Sequence, residues 1–132
     1  MTARESAPRV FAAVPVFRVA SVAASQRWYG EVLGFASDAV GPPDDPVFAI
    51  LRAGDAELML QRAQPGVGGA RSATEAGGGW DVYLRVSDVR ALRARVAAKA
   101  RGAGPLVERP YGCLEFEVAD PDGHVVVLGE CR

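Results

Sequence analysis

Phe17-Arg18-Val19-Ala20-Ser21-Val22 returns later in the chain as Leu84-Arg85-Val86-Ser87-Asp88-Val89, with Arg18 and Arg85 67 positions apart. Each copy ends a strand-like run and opens a helical one, and three further strand-like runs follow each helix. In a chain of 132 residues that offset is about half the length. The repeat therefore predicts an α+β fold built from two βαβββ modules, a half-barrel sheet with a central pocket. Each curved half-sheet has one face covered by its helix and one left open, and two open faces enclose a site.

By length the chain is a single domain, 1–132, with modules at about 10–62 and 80–130 and a linker at 63–79. It is 49% hydrophobic and 23% charged with a net charge of −1, the balance of an ordinary globular protein. Its 15 basic residues are scattered rather than gathered, so a nucleic-acid partner is not expected. No apolar run is long enough to span a bilayer, and residues 1–9 lack a signal-like apolar core, so no membrane association and a cytoplasmic location are expected.

In the first module, residues 10–19 read as a strand. Ser21 caps a helix with Val22, Tyr29, Val32 and Leu33 on its inner stripe, and Gly34 ends it. Strands follow at 35–40, 47–52 and 56–61, the last two as a hairpin around Ala53-Gly54-Asp55. The stretch 64–79 holds six glycines without apolar periodicity, which marks a connector that could also lie over the pocket as a lid. The second module places strands at 80–86, 106–109, 113–119 and 125–129. Its helix is capped by Ser87 or Asp88, and Asp120-Pro121-Asp122-Gly123 makes a tight reversal.

Strand side chains alternate between faces, so parity assigns each one. Pro15, Phe17, Val19, Leu58, Leu60, Val82, Leu84, Val86, Leu114, Phe116 and Val118 form the apolar set that the helices must cover. The open face then carries Val14, Val16, Arg18, Glu57, Met59, Gln61, Asp81, Tyr83, Arg85, Cys113, Glu115 and Val127 as candidate ligand-binding residues. Glu117 and Val125 share that face. A lining that mixes aliphatic, aromatic and charged groups fits a small organic ligand with polar groups. No catalytic residue is assigned. Cys113 and Cys131 are read as free thiols of a reducing compartment, in preference to a single disulfide. The single histidine, His124, follows the Asp-Gly turn and is read as a turn-edge residue.

Val14-Pro15-Val16-Phe17-Arg18-Val19, Trp28-Tyr29 followed by Leu33-Gly34-Phe35, and Tyr111-Gly112 through Glu115-Phe116 to Asp120-Pro121-Asp122-Gly123-His124 together resemble the vicinal oxygen chelate superfamily. This superfamily comprises glyoxalase I, extradiol dioxygenases, fosfomycin-resistance enzymes and bleomycin-resistance proteins. Its metal-dependent members place His, Glu or Gln ligands on four strands of the pocket face. The resemblance carries those positions onto Val14, Met59, Asp81 and Val127. The repeat supports the mapping, because Val14 and Asp81 lie 67 apart and Met59 and Val127 lie 68 apart.

Two valines have no donor atom and a thioether is a poor ligand for hard divalent ions, so no metal and no other cofactor are expected. The pattern is closest to the metal-free bleomycin-resistance branch. It implies a small-molecule-binding homodimer that sequesters an antibiotic or other toxic compound without reaction. The drug-binding members are markedly acidic, whereas this chain is nearly neutral, so bleomycin itself is not the expected ligand. The alternative is an enzyme of the same superfamily, of lyase, isomerase or dioxygenase type. It would use Asp81, Glu57 and Glu115 as unusual ligands, or metal-free acid–base chemistry at a carboxyl whose pKa is raised.

Overall fold

The chain alternates one strand, one helix and three strands, twice. A computed structural model describes residues 7–64 and 79–132. The first module contains β1 (Val16–Val19), α1 (Val22–Leu33), β2 (Ala36–Val40), β3 (Phe48–Ala53) and β4 (Ala56–Arg62). The second contains β5 (Val82–Arg85), α2 (Val89–Lys99), β6 (Val107–Glu108), β7 (Cys113–Ala119) and β8 (Val125–Cys131). The sheets have strand orders β1-β4-β3-β2 and β5-β8-β7-β6, the same order in each module, and no closed barrel forms.

The repeat extends to the residue register. Val16 pairs with Met59 and Phe17 with Leu60 in the parallel β1–β4 ladder; Tyr83 pairs with Val127 and Leu84 with Leu128 in β5–β8. One core runs through both modules and includes Phe17, Val19, Tyr29, Leu58, Leu60, Val89, Val96, Phe116, Val126 and Leu128. Val82, Leu84, Val86 and Leu114, read from sequence as covered apolar residues, pack against this core, while Val16 is 54% exposed.

Local chemistry sets the helix ends. The Ser21 side chain accepts from the Ala24 N–H, and Gly34 closes α1 at φ 77, a conformation that costs glycine little. Asp88 caps α2 through Ala91, and Glu130 accepts the Val89 N–H at 2.9 Å.

Three expectations need correction. β1 begins at Val16 rather than Val10, because the register with β4 brings residue 13 level with Ala56, where β4 starts. Residues before 13 lie beyond the start of β4; Pro15 still accepts the Met59 N–H but has no N–H of its own to donate, and Val14 sits in a half-buried lead-in outside the strand. β5 likewise covers Val82–Arg85 rather than 80–86. Cys113 and Cys131 are joined in a disulfide, not free. They face each other in the β7–β8 ladder with Cα atoms 4.0 Å apart, the close type of antiparallel pair, which periodicity alone does not reveal. The bond removes the support that free thiols gave to a reducing compartment.

The lid reading falls largely on residues 65–78, and the start of the leader reading on 1–6, outside the described residues. Among the described residues no helix is long and apolar enough to cross a membrane.

Candidate functional site

On the open face of the second module the strands converge on one carboxylate. Glu115, 1% exposed, accepts the Tyr83 hydroxyl at 2.7 Å, the Tyr111 hydroxyl at 2.7 and 2.8 Å, and the Arg109 Nε–H at 2.6 Å. Tyr83 reaches it by lying across Gly129, which stands opposite Glu115 in the ladder; a Cβ on Gly129 would overlap the Tyr83 hydroxyl. Burial by itself pushes the Glu115 carboxyl up, but the hydrogen bonds from Tyr83, Tyr111 and Arg109 outweigh it and hold the group below its ordinary value. The Tyr83 phenol is pushed up to about 12, first by burial and then by Glu115. Tyr111 is raised for the same two reasons. Trp80 joins this group: its Nε1–H donates to Glu117 at 2.9 Å, and the Arg109 guanidinium lies 5.7 Å from its ring centre.

A second centre lies at the seam between the modules. A cavity of about 600 Å³ is lined by Pro15, Val16, Phe17, Arg18, Gln61, Asp81 and His124. Its wall is held by the β7–β8 turn, which reaches across to the first module. Asp122 accepts the Ala20 N–H at 3.0 Å and the Ser25 hydroxyl at 3.4 Å, at the N-terminus of α1. Asp120 accepts the buried Tyr29 hydroxyl at 2.8 Å. Burial, then the Asp120 charge, raises the Tyr29 phenol far above its ordinary range.

His124 stands at the edge of the β7–β8 turn, where its main-chain N–H donates to Asp120 Oδ1 at 3.0 Å, and it is 3% exposed. Its Nδ1 bonds Asp120 at 2.9 Å and its ring stacks on Phe17 at 4.5 Å with planes 4° apart. Burial lowers the imidazole pKa, but the Asp120 bond and the charges of Asp120, Asp81 and Asp122 carry it above the ordinary value.

The twelve residues assigned to the open face thus divide. Val16, Arg18, Gln61 and Asp81 line the seam cavity. Tyr83 and Glu115 bond one another, and the Tyr83 hydroxyl also lies 3.6 Å from Sγ of Cys131, the disulfide partner of Cys113. Met59 stands between Val16 and Ile50, and Glu57 opposite Arg52, on the first module's open face. Arg85 is exposed at the end of β5, and Val127 is fully buried between its register partners Tyr83 and Glu117. Val14 lies outside the strands.

Trp80, Arg109, Tyr111, Asp120 and His124 were not among the assigned residues. Tyr111 and the Asp120–His124 turn were visible as motif residues, but their inward direction depends on turn geometry.

The positions that the resemblance gives to metal ligands hold Val14, Met59, Asp81 and Val127. Asp81 supplies the one carboxylate, and its Oδ2 accepts the Val125 N–H at 2.8 Å. Among the described residues no three His, Cys, Asp or Glu side chains lie close enough to hold a metal ion together. This donor set does not fit a catalytic divalent cation.

Known structures share this architecture. A glyoxalase-related enzyme from Clostridium phytofermentans superposes with a TM-score of 0.76 at 15% identity, covering 95% of this chain and 98% of that one. The bleomycin-binding protein from the bleomycin producer Streptomyces verticillus, solved with copper(II)-bleomycin, gives 0.72 at 26% identity, covering 96% and 100%. TnmS3, an antibiotic-binding protein from Streptomyces sp. CB03234, gives 0.67 at 20% identity, covering 95% and 100%. No curated protein sequence matches the chain. The sequence profile of one family matches residues 12–128, nearly the whole fold including both modules and the seam between them. The chain belongs to the Glyoxalase/Bleomycin resistance protein/Dioxygenase superfamily.

Proposed function

We propose that the protein binds a small organic molecule on its open face and at the module seam, without a metal and without converting it, and so sequesters an antibiotic or similar toxic compound. The observation that carries this reading is the donor set at the four ligand positions, Val14, Met59, Asp81 and Val127, beside a cavity of about 600 Å³ with mixed polar and apolar walls. The likeness to the bleomycin-binding protein, which reaches 26% identity, supports the binding branch. The acid–base form of the enzyme reading calls for a pocket carboxyl held above its ordinary value, whereas Glu115 is held below it.

A homodimer belongs to the same proposal. The first module's open face carries an apolar strip of Val16, Met59, Ile50, Phe48 and Val40, with Val16 54% and Val40 60% exposed. Val10 and Phe11 in the lead-in are also exposed. Covering such a surface with a second copy would remove apolar area from water.

The test is a thermal-shift screen of the purified protein against antibiotics, thiol conjugates and divalent metals, with recovery of each stabilising compound. A stabilising organic compound recovered unchanged, with no stabilisation by Ni, Zn, Fe or Mn, supports the proposal. Stoichiometric tight metal, or chemical conversion of the compound, overturns it.

A further inference from the structure

We propose that the Cys113–Cys131 disulfide is a redox switch for the open face of the second module, opened by a dithiol reductant and releasing the Glu115 cluster when it opens. The inference adds regulation to the binding role proposed above and rests on that role for its consequence. Cys113 and Glu115 lie two residues apart on β7, and their ladder partners Cys131 and Gly129 lie two apart on β8. The bond and the carboxylate therefore share one face of the sheet.

The side chains that donate to Glu115 are each tied to this bond. The Tyr83 hydroxyl donates to Glu115 and lies 3.6 Å from Sγ of Cys131. Arg109 and Tyr111 stand on the turn that leads into Cys113. There the Arg109 N–H donates to the Cys113 carbonyl at 2.8 Å, and the Gly112 N–H to the Arg109 carbonyl at 3.1 Å. The Arg132 N–H closes the same end of the ladder on the Gly112 carbonyl at 3.0 Å. Cys113 and Cys131 form the close type of antiparallel pair, which exchanges no main-chain bonds, so the covalent bond is what joins them.

Cys131 is half-buried whereas Cys113 is 6% exposed, so the Cys131 sulfur is the one that a thiolate reaches. Attack there forms a mixed disulfide and expels Cys113 as a thiolate, which takes up a proton. The second thiol of the reductant then attacks the mixed disulfide and releases Cys131. The dithiol is oxidised to its own disulfide, and its two electrons and two protons end on Cys113 and Cys131 as thiols. Two sulfurs that are no longer bonded separate to van der Waals distance. In a close-packed face that movement falls on the Tyr83 hydroxyl and on the turn carrying Arg109 and Tyr111.

Coupling of this kind is reciprocal, so loosening the cluster must also shift the redox equilibrium of the bond. The folded full chain is equilibrated with mixtures of reduced and oxidised dithiothreitol, and the dithiol fraction is read by alkylation and mass spectrometry beside circular dichroism. Wild type is compared with Tyr83→Phe, with the surface substitution Tyr111→Phe, and with Asp38→Asn as a remote control on an exposed ion pair. Both tyrosine variants should shift the equilibrium constant toward the dithiol, at least fivefold for Tyr83→Phe, and Asp38→Asn should leave it unchanged, with the reduced chain still folded. Equal constants in wild type and both tyrosine variants overturn the proposal. Reduction that unfolds the chain overturns it as well, since a switch needs two folded states. A shifted equilibrium in a protein that no organic compound stabilises would keep the switch and remove the binding role. An unshifted one in a protein that an antibiotic stabilises would do the reverse.

Discussion

Gly129 decides whether Tyr83 joins the Glu115 cluster, because only the absence of a Cβ lets Tyr83 cross β8 to Glu115. A Gly129→Ala variant should push Tyr83 off the carboxylate and return its phenol from about 12 toward the ordinary value of about 10, read by ultraviolet titration of the phenolate. A Tyr83 titration unchanged by the substitution would contradict this. The two buried charges make opposite pH signatures. Glu115 is held below its ordinary value of 4.5, so it adds stability that is present above that value and lost as pH falls through its folded value. His124 is held above 6.5, so its contribution is complete below that value and lost as pH rises through its folded value. The stability gap between wild type and Glu115→Gln should therefore close in acid, and the gap for His124→Gln should close in alkali, both measured by denaturant unfolding across pH. The two-residue period of the strands is enough to place Tyr83 and Glu115 on one face. It does not show that they bond each other, since parity gives a face while the meeting of two side chains depends on register and on Gly129.

The β7–β8 turn bonds the second module to the first through Asp120 and Asp122. Asp122→Ala removes the bonds to Ala20 and Ser25 and should cost about 1–2 kcal/mol. Tyr29→Phe deletes a buried hydroxyl from Asp120 and should cost about 1–3 kcal/mol, both read as denaturant midpoints. If both variants unfold at the wild-type midpoint, the turn does not carry the contact between modules. The disulfide closes a span of 18 residues, and its reduction should lower stability by about 3 kcal/mol. Native protein should show no reactive thiol in a colorimetric assay, and two reactive thiols there would contradict the bond. Helix positions and caps were legible because Ser21, Gly34 and Asp88 carry their own local chemistry. The start of β1 was not, because it depends on the pairing with β4, in which Pro15 has no N–H to donate. Nor was the cysteine pairing, which depends on β7 and β8 being in register.

The whole fold was the most legible level, since the repeat of Phe17–Val22 in Leu84–Val89 recurs as identical strand orders and matching ladders. The seam was the least legible, because no period within either module reports how the two dock. If the proposed dimer covers the exposed apolar residues of the first module, light scattering at micromolar concentration should return about twice the 13.9 kDa chain mass. A monomer alone would contradict the dimer. The central claim is that this chain holds a small molecule and leaves it unchanged. Isothermal titration with the compound that stabilises the protein most, followed by mass spectrometry of the recovered ligand, tests it most directly. Saturable binding with the ligand mass unaltered after prolonged incubation is the predicted result, and a ligand transformed by the metal-free protein would contradict the account.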